Sequence, residues 1–176
     1  MLTLGVAACG TGDADSDRSV LDPDAQQARD DNVIKLELNR GLIDDGLGAF
    51  KDVNAVVYDR RVLLIGSVED QAAVVRAGSL AQAVEGVREV INEIQIDADE
   101  GIGAFISDVI VEKSIQSTLL FDDTIDSDHF HVRVLNGVVY IIGRAVNRSE
   151  YDRVSAAARE PDDVKRVVNY VEISSN

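Results

Sequence analysis

Chemistry in this chain starts with its only cysteine, Cys9. Having no partner, it cannot form an internal disulfide. It closes the run "VAAC", with an apolar residue three positions before it and two small residues between. That pattern fits a lipobox, in which the thiol takes a diacylglyceryl group, a signal peptidase cuts before it, and the acylated cysteine becomes the new N-terminus. The Gly, Thr, Asp and Ser that follow over 10–19 suit a flexible tether. A leader needs a basic start and an apolar stretch of about 7–15 residues. Only eight residues precede Cys9 and none is basic, so this reading takes the signal peptide as truncated, with Met1 called too far downstream. The alternative is an incidental cysteine in a tail.

"DSDHFHV" (126–132) places His129 and His131 on one face of a strand, with Asp126 and Asp128 nearby. Zinc sites use such donors, but four ligands in one short strand and loop seldom converge tetrahedrally. The reading is a solvated strand entrance and no metal. Acid pairs recur at Asp30-Asp31, Asp44-Asp45 and Asp122-Asp123. They read as helix-end residues that cap or are solvated. No serine or cysteine has a base at a recognisable spacing, and no glycine loop could cradle a phosphate. The sequence offers no catalytic residues and implies no cofactor.

The elements that must carry these residues form a repeat. Residues 53–96 align with 130–173 without a gap, at a constant offset of 77. Identical pairs include Val57/Val134, Ile65/Ile142, Gly66/Gly143, Arg76/Arg153, Ala81/Ala158 and Asn92/Asn169. Each copy opens with a helical period, Ile34-Leu38-Leu42 and then Val111-Ile115-Leu119. Two β-rich runs follow, joined by "DRR" in copy one and by "LNGV" in copy two, where Asn136-Gly137 signals a two-residue hairpin. Gly66 and Gly143 are read as ending the second strand. A second helix presents Ala77, Leu80, Ala81 and Val84, matched by Val154, Ala157 and Ala158, and must stop before Pro161. A last alternating strand closes each copy, with Asn92 and Asn169 in phase with its apolar face and read as structural hydrogen-bonding groups.

The expected fold is therefore α+β: two tandem αββαβ domains, each a three-stranded sheet covered on one face by two helices. The boundaries read as tether 1–29, domain one 30–97, linker 98–106 and domain two 107–174. The other sheet face holds Val56, Tyr58 and Ile91, and then His131, Arg133, Leu135, Val168 and Tyr170. These are too apolar for a face left to water. A domain–domain interface, a dimer contact and a lipid surface all remain open, and packing against protein is favoured. The net charge of −15 is spread along the whole chain. That argues against a nucleic-acid binder, which needs clustered cations.

The element order, the Asn-Gly hairpin, the paired glycines and the closing runs "GVREVINEI" and "DVKRVVNYV" together resemble the BON domain family of bacterial envelope proteins. The "GIG" linker and the helix "SDVIVEKSIQSTLL" add to the likeness. With Cys9 ahead of them, the pair resembles a dual-BON outer-membrane lipoprotein. The resemblance implies a non-enzymatic module that binds anionic phospholipid of the outer-membrane inner leaflet and supports envelope integrity under stress. It places the lipid contact at the first helix of domain two, on Phe105, Ile106, Ile110 and Val111. It implies a protein lipid-anchored on the periplasmic face, or otherwise soluble in the periplasm. A protein–protein module working with envelope proteins or by self-association, without direct lipid binding, is the alternative.

Overall fold

The computed structural model describes residues 23–45, 48–96 and 102–174, with side chains from 107 onward in the helix that begins at 102. Cys9 lies outside the described residues. Copy one runs α1 (Pro23–Asp44), β1 (Val53–Tyr58), β2 (Arg61–Val68), α2 (Gln71–Ala83) and β3 (Glu89–Ile96). Copy two repeats this as α3 (Ile102–Phe121), β4 (Phe130–Leu135), β5 (Val138–Ala145), α4 (Arg148–Ala157) and β6 (Arg166–Ile173), with one 3₁₀ turn at Ser127–His129. In each sheet the middle strand pairs antiparallel with its hairpin partner and parallel with the last strand. The crossover from β2 to β3, or from β5 to β6, is the second helix of the copy.

Both first helices start earlier than the sequence boundaries imply. Pro23 supplies a preset φ at the first helical position and Asp24 an acidic first turn, so α1 takes in residues 23–29, assigned above to the tether. Likewise α3 takes in 102–106 of the expected linker. The second helices are capped as their sequences suggest: Asp70 accepts from Ala73 N at 2.7 Å, and Asn147 from Glu150 N at 3.0 Å.

The two glycines do not end their strands. β2 continues to Val68 and β5 to Ala145, because the parallel partner goes on pairing through Val68↔Ile96 and Ala145↔Ile173. Asn92 and Asn169 act alike although Asn92 is exposed. Each side-chain amide donates to the second helix, to Val74 O at 2.9 Å and to Ser155 Oγ at 2.8 Å. Each oxygen accepts from the strand two residues on, Ile94 N and Val171 N. The amides tie helix to strand.

Asp31 does not cap a helix end. It is buried in the middle of α1 and accepts from the turn amides Asp59 N and Arg60 N, both at 2.7 Å. One repeat later, Asp108 on α3 accepts from Asn136 N at 2.5 Å and Gly137 N at 2.8 Å. Both turns have two residues at positive φ, Asp59 (48°) and Arg60 (59°), then Asn136 (55°) and Gly137 (74°). This is the mirror-image turn that suits hairpin twist. Asn-Gly adopts it readily, whereas Arg60 is held there against its preference by the Asp31 clamp. Arg60→Gly should therefore raise the unfolding free energy by about 0.5–1 kcal/mol, read as a higher urea midpoint at unchanged slope; a lower midpoint would show that the clamp leaves no strain to relieve.

Three apolar clusters order the layers. Ile34, Leu38, Val57, Leu64, Ala77 and Ile94 lie between sheet one and its helices. Val111, Ile115, Val132, Ile141 and Val154 do the same in copy two. The third cluster joins the sheets back to back: Val56, Tyr58, Leu63, Ile65 and Ile91 pack against Tyr140 and Ile142, with Leu135, Val168 and Tyr170 beside them. The molecule is thus a four-layer helix–sheet–sheet–helix sandwich, and the face left open by the sequence is a domain–domain interface.

Candidate functional site

With both sheet faces covered, the surfaces left for partners are the outer faces of the helices and the clefts beside the interface. Helix α3 is fixed from inside. Val111 (3% exposed), Ile115 and Leu119 enter the core. Ser107 Oγ donates to Asp163 at 3.1 Å. Two of the helix's carboxylates also turn inward. Asp108 clamps the hairpin as above, and Glu112 accepts from Arg133 Nη1 at 3.1 Å, Val134 N at 3.2 Å and Gln116 Nε2 at 3.2 Å. Charge that counts as acidic on a helix in sequence is thereby removed from its outer face.

What remains outside is a set of apolar and small side chains with one lysine. Ile110 is 64% exposed and Phe121 81%, and between them Lys113, Ser114 and Ser117 are exposed. Ile110 and Phe121 lie eleven residues apart, close to three full turns, so they share one face about 16 Å long. Val109 (45%) and Leu120 (65%) flank it. Of the expected contact residues, Ile110 is on this face. Val111 is not: consecutive residues on a helix sit about 100° apart, and the Val111-Ile115-Leu119 period that defines the core claims it. The backbone of Phe105 and Ile106 belongs to α3, but their side chains lie outside the described residues. Leu120 and Phe121 escaped the sequence reading, although the eleven-residue step from Ile110 already places Phe121 on the same stripe, with Leu120 beside it.

The histidines meet different ends. His129 Nε2 lies 3.9 Å from Asp24 Oδ2 and its Nδ1 3.8 Å from Asp126 Oδ2. His131 stacks edge-on against Tyr58 across the interface, ring centroids 5.7 Å apart. Burial first, then the Arg133 and Lys35 charges, hold its pKa below the usual imidazole value. Both line a cleft of about 460 Å³ between α1 and the start of β4. Among the described residues, no group of three or more His, Cys, Asp or Glu side chains is placed to hold a metal ion.

Polar contacts ring the buried interface. Arg61, 5% exposed, pairs with Glu89 at 2.6 Å in its own domain and donates from Nη1 to Tyr170 O at 2.7 Å in the other. Arg144 reaches Asp59 at 2.6 Å, and Arg88 reaches Glu172 at 3.1 Å. Tyr170 OH donates to Glu93. Burial, with that carboxylate accepting its proton, pushes the phenol up to about 12.

A duplicated αββαβ sandwich with mixed three-stranded sheets and a hairpin clamped by a helix carboxylate defines a tandem α+β module. No helix among the described residues is long and apolar enough to cross a membrane. The BON domain family model matches residues 30–98 and 107–175, and the chain belongs to that family. It is 32% identical over 142 residues to osmotically-inducible protein Y of Escherichia coli, covering 80% of this chain and 71% of that one. It is 31% identical over 147 residues to a 21 kDa hemolysin of Actinobacillus pleuropneumoniae, covering 81% and 75%. It is also 29% identical over 140 residues to outer membrane lipoprotein DolP of Haemophilus influenzae, covering 79% and 72%.

Proposed function

We propose that this protein is a non-enzymatic, phospholipid-binding component of the bacterial envelope. In this reading acyl chains on Cys9 hold it at the periplasmic face of the outer membrane, and α3 adds a local contact with the lipid surface, supporting envelope integrity. The observation that carries the lipid contact is the exposed stripe from Ile110 to Phe121, from which Asp108 and Glu112 are turned away. An outer-membrane lipoprotein among the relatives supports the location. One acyl chain gives only marginal attachment, so several chains with a protein contact make physical sense. The alternative, a protein–protein module using its sheet faces, loses that surface because the two faces cover each other.

Addition of phospholipid micelles should shift backbone amide resonances along 107–121. The double variant Ile110→Asp, Phe121→Ser should lose those shifts and weaken vesicle binding at least tenfold, or about 1.4 kcal/mol. Shifts that appear nowhere would end the lipid reading. Separately, Cys9→Ser expressed behind a complete leader should move the protein from the detergent phase to the aqueous phase. Partitioning that survives the substitution rules out acylation.

A further inference from the structure

The first helix of domain one carries a second outward stripe, chemically unlike that of α3. Arg29, Val33, Leu36, Arg40 and Ile43 recur at alternating steps of four and three residues, the spacing of a single helix face. All five are exposed, with Val33 at 57%, Leu36 at 62% and Ile43 at 77%. This face lies opposite the buried positions Asp31, Ile34, Leu38 and Leu42. The acids Asp30, Glu37 and Asp44 sit along one flank and none interrupts the stripe. Neither Arg29 nor Arg40 has an ion-pair partner among the described residues.

We propose that this face of α1 is a second membrane contact, selective for anionic phospholipid. In a chain of net charge −15, two guanidinium groups without an ion-pair partner among the described residues stand among three exposed aliphatic side chains, with the acids confined to one flank. A guanidinium forks onto two phosphate oxygens, while the aliphatic groups sink to the boundary between headgroup and acyl chain. A convex single helix with no groove suits a lipid surface better than a folded partner. The chain ahead of it points the same way: α1 begins at Pro23, fourteen residues after the proposed anchor, so an acylated Cys9 would keep it near the bilayer. That last step rests on the anchor reading; the stripe itself does not. Because α1 and α3 lie in the two opposite outer layers, each can be altered without touching the other.

The test is flotation of the full chain with vesicles of phosphatidylcholine alone or mixed with phosphatidylglycerol. The wild type should bind the mixed vesicles more tightly. Arg29→Glu with Arg40→Glu should lose about tenfold toward mixed vesicles, leave binding to phosphatidylcholine unchanged and keep the wild-type unfolding midpoint. Wild-type affinity of that variant for mixed vesicles overturns the proposal. If the Ile110, Phe121 variant alone loses binding to both vesicles, the α3 reading stands and this one falls. If only the arginine variant loses binding, this proposal stands and the α3 contact falls.

Discussion

Gly143→Ala is expected to destabilise domain two by about 3–5 kcal/mol, enough to unfold much of the population under mild denaturant. A Cβ built on Gly143 would lie 2.1 Å from the carbonyl oxygen of His129 and 3.0 Å from Phe130 Cα. Both are backbone atoms of the strand entrance that pairs opposite this glycine through Phe130↔Gly143, so no side chain can swing aside. Relief requires moving β4, and with it Val132, which fills the core. Gly66 repeats the geometry, its Cβ falling 2.1 Å from Asp52 O, and adds a φ of +138°, so Gly66→Ala should be at least as severe. Gly41 gives the control: it lies within α1 and a Cβ there meets nothing within 4 Å. Gly41→Ala should stabilise by roughly 0.5–1 kcal/mol. Urea unfolding of the three variants checks the account, and a wild-type midpoint for Gly143→Ala would sink it.

The same pair of glycines shows how far sequence reaches here. Their recurrence at one offset was visible, and so was the hairpin before them, because turn chemistry is local. Their reason was not visible, since it depends on which backbone crosses above. Asp31 and Asp108 make the point more sharply. Each looks like half of an acidic pair or a solvated helix residue, yet each is buried and holds a turn twenty-eight residues away. The offset of 77 links them too, and a buried carboxylate repeated with the domain is a structural signal. The domain interface was half legible. Alternation on the outer strands exposed its apolar side, but Leu63, Ile65, Tyr140 and Ile142 on the middle strands were hidden. The runs "VLLI" and "VVYII" are apolar at every position, as strands buried on both faces are, so nothing alternates to mark which side each residue serves. On α3 the helical period was right about Val111, which lies in the core, while Ile110 of the expected contact is exposed.

Adjacent residues on β5 give the sharpest test of the four-layer arrangement. Ile141 and Ile142 are both fully buried, but Ile141 faces the helices and Ile142 faces the other domain. A carboxylate at either position would be buried in an apolar cluster, a penalty of about 4 kcal/mol or more. The escape routes differ. For Ile141→Asp the only way to hydrate the charge is to open the core of domain two, so that domain should unfold. For Ile142→Asp the sheets can separate, giving up the packing of Tyr140, Leu63 and Ile65 and the Arg144–Asp59 and Arg61–Tyr170 contacts, while both helix-side cores stay closed. Heating should then show two transitions where the wild type shows one, and amide shifts should change along β1, β2, β5 and β6 but not along α1 or α3. Scattering should report a larger radius of gyration at unchanged helix content. A single cooperative transition within a few degrees of wild type would mean that the interface holds little of the stability. Because the docked sheets set α1 and α3 on opposite layers, Ile142→Asp should leave lipid binding by each helix intact while releasing the fixed geometry between them. A variant that binds vesicles normally yet fails in the envelope would place the function in that geometry, beyond either contact alone.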